Sequence, residues 1–283
     1  MERDRARLKR ELFTFFGLTF LITWGLGAVL LLAQTWLEAL VGPIDSHHWL
    51  FMVAVYAPAM AALATSFAFG GVSGVRAWLG GLFRRCHPIW LLVSFCALPT
   101  IWAAWAIVGA VFGIDRFPVR VEQLAAAYPA EALLTWRILR DPGPLGEEPG
   151  FRGYALPRLL GLMRPATAAL ALGLIWAVWH VPSFFVSGLN QSAFNFGWFM
   201  AALVGTSFVM TWLYLRASGN VIVAGVIPHL AANSLGTAVP GMFQADQGGA
   251  VWGGVCLTAA AILLIVERRR FFTPACAQSS SAA

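Results

Sequence analysis

The sequence predicts an all-α membrane protein, a polytopic bundle of about eight transmembrane helices. Hydrophobic residues make up 59% of its 283 residues and charged residues only 11%, whereas soluble domains carry about 25% charged residues. The mean hydropathy is +0.72. Apolar runs of about 20 residues recur along the chain, and a helix of that length crosses a hydrocarbon core about 30 Å thick. Lipid, rather than water, therefore solvates most of the surface.

The apolar runs divide the chain into four parts. The predicted helices cover residues 12–35, 50–70, 89–113, 143–163, 166–186, 197–216, 220–240 and 250–266. Three helices occupy residues 1–113, an interfacial or loop segment occupies 114–142, a core occupies 143–240, and the last helix and a disordered cytoplasmic tail occupy 241–283. Five glycines between residues 70 and 81 predict a flexible loop after the second helix.

Arginine positions set the predicted topology. Loops 36–49, 187–196 and 241–249 contain no Lys or Arg, whereas the opposite helix ends carry several. Because basic residues near helix ends favour the cytoplasmic side, both termini are predicted to be cytoplasmic. The formal net charge of +6 is spread over these ends, which argues against a nucleic-acid-binding protein. Residues 114–142 depart from the pattern and are expected to lie partly along the membrane interface.

Three clusters of ionisable residues interrupt the apolar runs of the core. Placing one such residue at the centre of a membrane helix costs roughly 2.5 to 3.5 kcal/mol on insertion scales, so each is expected to have a partner or a task. The clusters are Glu147-Glu148-Pro149-Gly150-Phe151-Arg152, Trp176-Ala177-Val178-Trp179-His180 and His229-Leu230-Ala231-Ala232-Asn233.

Helical spacing separates the two glutamates of the first cluster. Glu148 and Arg152 are four positions apart and share one helix face, so they are expected to form an ion pair. Glu147 is rotated by about 100° and faces a different part of the bundle. Pro149 predicts that the helix begins or kinks at the glutamates.

The other two clusters contribute histidines. His229 and Asn233 are also four positions apart, and two donors on one helix face can hold a developing oxyanion. A single His inside a helix is as often a packing residue as a catalytic one. Two of them, His180 and His229, beside a Glu pair favour a chemical site.

Taken in order, EExxxR, an aromatic residue followed four positions later by His, and HxxxN resemble the motif signature of the CPBP family. This family comprises the type 2 CAAX prenyl proteases, bacterial relatives of the lysostaphin-resistance type, and bacteriocin-processing or immunity proteins. The resemblance covers residues 143–237, and Trp176 stands where the second motif often has Phe.

The resemblance implies an intramembrane endopeptidase of the bacterial cytoplasmic membrane that acts on peptide or protein substrates in or at the bilayer, CAAX-like substrates included. It implies that Glu147 and His180 position and activate a water. It further implies that His229 and Asn233 bind the oxyanion. The predicted catalytic set is Glu147, Glu148, Arg152, His180, His229 and Asn233.

Three alternatives remain at this stage, and the oligomeric state is open. Two His and a Glu are also zinc ligands, so a metalloprotease is one alternative. We expect no cofactor, because no HExxH or other closely spaced ligand set occurs. A proton-coupled transporter or channel is the second, although the helices show no inverted repeat. The third is a non-catalytic immunity or peptide-binding membrane protein.

The topology can be tested with reporter fusions. Fusions after Arg84, Arg164, Arg216 and Arg270 should report a cytoplasmic location. Fusions near Asn190 and Gln247 should report an external one. A cytoplasmic Asn190 would contradict the eight-helix arrangement.

Overall fold

The computed structural model of the protein describes residues 2–46, 48–111, 141–238 and 247–274. Within these ranges the chain forms helices and no β-strand, which confirms the predicted all-α membrane bundle. The α-helices are α1 (Glu2–Val41), α2 (Trp49–Leu82), α3 (Ile89–Val111), α4 (Pro142–Gly150), α5 (Leu156–Leu162), α6 (Pro165–Trp179), α7 (Phe196–Arg216), α8 (Ile227–Ala238), α9 (Gln247–Val266) and α10 (Arg268–Phe272). Two π-helical segments, π1 (Phe151–Ala155) and π2 (Ile222–Val226), precede α5 and α8, and 3-10 turns cover Val181–Phe184 and Asn190–Ala193.

Each predicted apolar run corresponds to a helix, with differences at the ends. Among the described residues, four helices are long and apolar enough to cross a membrane: α1, α2, α7 and the Gly249–Val266 part of α9. Three shorter apolar helices accompany them, at Ile89–Ile101, Pro165–Trp179 and Ile222–Ser234. The fifth predicted run, 166–186, is wrong at its end because α6 stops at Trp179.

The flexible loop predicted at the glycines after the second helix is also wrong. Helix α2 continues through them to Leu82, with one break at Gly71, where φ is +59°. Glycine adopts this left-handed conformation at little steric cost, so one residue absorbs the kink and the helix resumes. The predicted interfacial segment lies outside the described residues except for Asp141 and Pro142, and the predicted tail does so from residue 275 onward.

Helix α4 begins before the glutamates rather than at them. The Asp141 side chain accepts a hydrogen bond from the Gly143 amide, and Pro142 occupies the first turn, where its missing N–H is not needed. The irregularity predicted from Pro149 falls after the glutamates, as π1. The Pro149 carbonyl accepts a hydrogen bond from the Trp78 indole of α2 at 3.0 Å.

Helix α4 lies against the backbone of α2 through two glycines four positions apart. A β-carbon on Gly146 would stand 2.7 Å from the Val55 carbonyl oxygen, and one on Gly150 would stand 2.5 Å from the Pro58 carbonyl group. Small residues at this spacing allow membrane helices to approach closely. This contact fixes the helix that carries Glu147 and Glu148.

Helix α1 is anchored to the core by a buried carboxylate that the sequence did not indicate. Glu11 accepts hydrogen bonds from Arg7 at 2.8 Å and from Arg158 of α5 at 2.6 Å. One turn later, the Phe15 ring stacks on Tyr154 with centroids 5.2 Å apart. The first helix is therefore joined to the segment that follows the glutamates.

The Gly150 contact generates a stability prediction. Alanine usually stabilises a helix by about 1 kcal/mol relative to glycine. In Gly150→Ala, however, the methyl group would meet backbone atoms of Pro58 that cannot rotate away, and overpacking of this kind costs about 1 to 3 kcal/mol. We expect the thermal unfolding temperature in detergent to fall.

Gly25→Ala is the matched control, because no atom lies within 4 Å of the added β-carbon. It should unfold at the wild-type temperature or slightly above. Equal unfolding temperatures for the two variants would contradict the proposed tight contact between α4 and α2.

Candidate active site

Glu148 is a fully buried carboxylate shared by two motifs. Its Oε1 accepts hydrogen bonds from Arg152 Nη1 at 3.1 Å and from His229 Nδ1 at 2.8 Å. Arg152 is also fully buried, and His229 is 6% exposed. The predicted ion pair between Glu148 and Arg152 is present. The same carboxylate also holds His229, which the family resemblance assigns to oxyanion binding.

Glu147 faces a different neighbour, as its rotation on the helix predicts. Its Oε2 accepts a hydrogen bond from the Trp176 indole nitrogen at 2.6 Å. The Arg152 guanidinium carbon lies 4.2 Å from the centre of the Trp176 ring, a cation–π distance. Trp176 therefore contacts two of the three charged residues of the first motif, Glu147 and Arg152. Sequence reasoning identified its large ring but missed its N–H.

His180 lies at the end of α6 rather than within a helix. It is the C-terminal capping residue of α6, and the 3-10 turn Val181–Phe184 follows it. Its Nδ1 lies 2.8 Å from the Trp176 carbonyl oxygen. Its ring packs edge-on against Trp179 and Phe199, with centroids 4.6 and 5.1 Å away. These contacts fix the half-buried imidazole from several sides.

The hydrogen-bond partners assign the same protonated nitrogen to both histidines. A carbonyl oxygen and a carboxylate only accept, so Nδ1 of His180 and Nδ1 of His229 must each carry a proton. The Nε2 atoms are therefore the ones that can take part in chemistry.

Polar side-chain atoms from two motifs converge beside Gly143, in the first turn of α4. A β-carbon at Gly143 would stand 3.1 Å from His229 Nε2 and 3.3 Å from Glu147 Oε1. Asp141 Oδ1 lies 3.3 Å from the same point. The glycine keeps this polar space clear of a side chain. The three polar atoms around it are the hydrogen-bonding partners that a bound water molecule needs.

Asn233, the last motif residue, contacts a residue that sequence reasoning missed. Its Nδ2 donates to Asp141 Oδ2 at 2.9 Å. Hydropathy assigns Asp141 to the interfacial segment. The Asp-Pro pair is a helix-start signal that could have placed it at the beginning of α4. No sequence signal points to its bond with Asn233.

The described residues do not form a ready metal site. Among the parts of the chain that the structure describes, no three His, Cys, Asp or Glu side chains are grouped so that they could hold a metal ion. The Nδ1 atoms of both motif histidines are used by other partners. The side chains as arranged do not fit a zinc ion, and the metal-free reaction stays a prediction.

Comparison with known proteins agrees with the motifs. Residues 142–235 match the family model described as Rce1-like, type II CAAX prenyl endopeptidase. The family resemblance predicted from the sequence is confirmed. We therefore call residues 142–235, which extend from α4 into α8, the Rce1-like segment.

A curated relative gives a second match. The chain is 30% identical over 93 residues to CAAX prenyl protease 2 of Methanococcus maripaludis. The matched part is 31% of this chain and 34% of that protein. The chain thus spans about a third of the length of this relative, and all six predicted catalytic residues lie within the Rce1-like segment.

Proposed function

We propose that the protein is an intramembrane endopeptidase that hydrolyses a peptide bond of substrates held in or at the bilayer. The observation that carries this proposal is the convergence of Glu147 Oε1 and His229 Nε2 on one polar space beside Gly143. The Rce1-like match and the name of the Methanococcus maripaludis relative, CAAX prenyl protease 2, support the same reaction class. CAAX-like peptides are the substrate class that this likeness favours.

In the proposed reaction a water in this space is the nucleophile. Glu147 Oε1 accepts one of its protons while the water oxygen attacks the peptide carbonyl. His180 Nε2, whose ring is fixed through Nδ1, accepts a hydrogen bond from the other water proton. When the tetrahedral intermediate collapses, Glu147 returns its proton to the leaving amine. The C–N bond breaks, and the second water proton passes from the acyl product to the amine, so that the products are a carboxylate and an ammonium group.

The oxyanion is stabilised from α8. A protonated His229 donates Nε2–H, since its Nδ1–H is already directed at Glu148. Asn233 supplies an amide N–H from the same helix face. Three carboxylates, Glu147, Glu148 and Asp141, surround this site against one guanidinium, Arg152. Their excess negative charge favours the imidazolium form of His229.

Glu147→Gln tests the proposed base. The amide keeps the size of the side chain and can still accept from Trp176, but it cannot take a proton. We expect turnover to fall by at least about 10²-fold with the protein still folded. The assay uses purified protein in detergent, a library of synthetic peptides with and without a farnesylated CAAX end, and mass spectrometry of the products.

Glu38→Gln is the control, because it makes the same chemical change at a carboxylate near the end of α1, where Glu38 bonds Gln34 and the Ile44 amide. Its turnover should equal that of the wild type. Near-normal cleavage by Glu147→Gln would overturn the proposed base. Absence of cleavage by the wild type would instead favour a transporter or a peptide-binding protein.

Glu148 and Arg152 should respond differently. Removal of either partner of a buried pair leaves an unpaired charge, at a cost of about 3 to 5 kcal/mol. Glu148→Gln and Arg152→Gln should therefore lower folded yield as well as turnover, measured by size-exclusion chromatography and the same assay. A charge-swapped double variant should recover part of the yield. Full yield with either single variant would contradict a structural role for the pair.

Metal removal tests the metal-free mechanism. If Glu147 and His180 activate water without a metal ion, dialysis against a strong chelator should leave the cleavage rate unchanged. The metal content of the dialysed sample should be measured alongside the rate. A loss of activity that stoichiometric zinc restores would show that the reaction needs the metal.

A further inference from the structure

Asp141 links the start of α4 to the last motif helix. Its Oδ1 accepts from the Gly143 amide at 3.1 Å, and its Oδ2 accepts from Asn233 Nδ2 at 2.9 Å. Asp141 lies immediately before the Rce1-like segment and outside the three motifs. Its two oxygens therefore do two separate things. One caps a helix, and the other holds the side chain of Asn233.

The second contact settles which way the Asn233 amide faces. An amide side chain offers an oxygen that accepts and a nitrogen that donates, and it can turn over by rotation. A carboxylate only accepts, so the nitrogen end of Asn233 must lie against Asp141. With one N–H directed at Asp141 Oδ2, the direction of the second N–H on the same nitrogen is also fixed.

The position of Asp141 connects this contact to the reaction. Its Oδ1 lies 3.3 Å from the Gly143 point on which Glu147 and His229 converge. A carboxylate beside a developing oxyanion would normally oppose catalysis. Here both of its oxygens accept from N–H donors, and its charge is directed at the Asn233 amide.

We propose that Asp141 is a positioning residue, which orients the Asn233 amide so that its second N–H points at the substrate carbonyl. The inference rests on the proposed endopeptidase function. It concerns the rate of the chemical step and not the binding of the substrate. Asp141 would therefore affect kcat much more than KM.

Asp141→Asn tests this role. The new amide oxygen can still cap α4 at Gly143, but an NH₂ group now faces Asn233. The Asn233 amide must turn to present its oxygen, which directs its nitrogen away from the substrate. We expect kcat to fall about 10² to 10³-fold, the cost of losing one oxyanion donor. KM should stay within about twofold, because substrate binding is not altered.

Two further variants separate positioning from a purely structural role. Adding Asn233→Ala to Asp141→Asn should cause no loss beyond that of Asn233→Ala alone, because both changes remove the same donor. The swapped pair, Asp141→Asn with Asn233→Asp, restores the hydrogen bond and the helix cap. It should unfold at the wild-type temperature and remain inactive, since a carboxylate then faces the oxyanion.

Asn195→Asp is the matched control. Asn195 caps α7 by accepting from the Trp198 amide at 3.2 Å, and aspartate keeps this cap. The variant interchanges the same two residue types at a helix start and should keep the wild-type kcat. If Asp141→Asn does not fold, Asp141→Ser provides a second test, because serine caps the helix but is too short to reach Asn233.

Each outcome decides the inference. Unchanged kcat in Asp141→Asn, recovery of activity in the swapped pair, or failure of both Asp141 variants to fold would each overturn it. If the wild type cleaves while Asp141→Asn is equally active, only the inference fails. If the wild type cleaves no peptide in the library, the proposed function fails and the inference fails with it.

Discussion

The carboxylate of Glu148 is the group on which the geometry of the site depends. It is fully buried, and one of its oxygens accepts hydrogen bonds from Arg152 of π1 and from His229 of α8. A buried charge without partners costs several kcal/mol, so these bonds cannot be given up singly. A β-carbon at Gly225 would stand 2.7 Å from the other carboxylate oxygen. The carboxylate thus fits closely between α4 and π2. Helix α4 also lies on the backbone of α2. The bonds of Glu148 therefore set the spacing between α2, α4 and the π2–α8 segment.

The two π segments lie where this spacing is set. Segment π1 carries Arg152, and π2 carries Gly225. A π turn is wider than an α turn, so it shifts the side chains on either side of it, and such turns are frequent at functional sites. Lipid cannot satisfy carbonyl groups left without a helical partner. Side chains of neighbouring helices bond carbonyls here instead. Trp78 donates to Pro149 beside π1, and Ser94 donates to the Val223 carbonyl within π2. The irregular geometry is thus supported by α2 and α3, which lie outside the Rce1-like segment.

Residue spacing within a helix predicts which side chains of that helix meet. It does not predict contacts between residues that are far apart in the sequence. The pair of Glu148 with Arg152 follows from a spacing of four on one helix. The bond from His229 to the same carboxylate joins residues 81 positions apart, and no periodic pattern contains that information. The loop predicted at the glycine-rich end of α2 is wrong because glycine permits a turn without requiring one, and the sequence does not distinguish a turn from a continued helix there. The sequence assigns Asp141 to the interfacial segment because a polar residue before a weakly apolar run fits a loop as well as a helix cap.

Trp176 shows how the choice of one motif residue changes the surroundings of Glu147, the proposed base. A Phe at this position, as in the motif that the sequence resembles, would offer the same ring face to Arg152 but no N–H. In this chain the indole nitrogen holds Glu147 Oε2 at 2.6 Å, while Oε1 faces the space beside Gly143. The two oxygens of the proposed base therefore differ: one is held and one can accept a proton. The Trp176 carbonyl also holds His180. A single residue of α6 thus orients both groups proposed to activate water, one through its side chain and the other through its backbone.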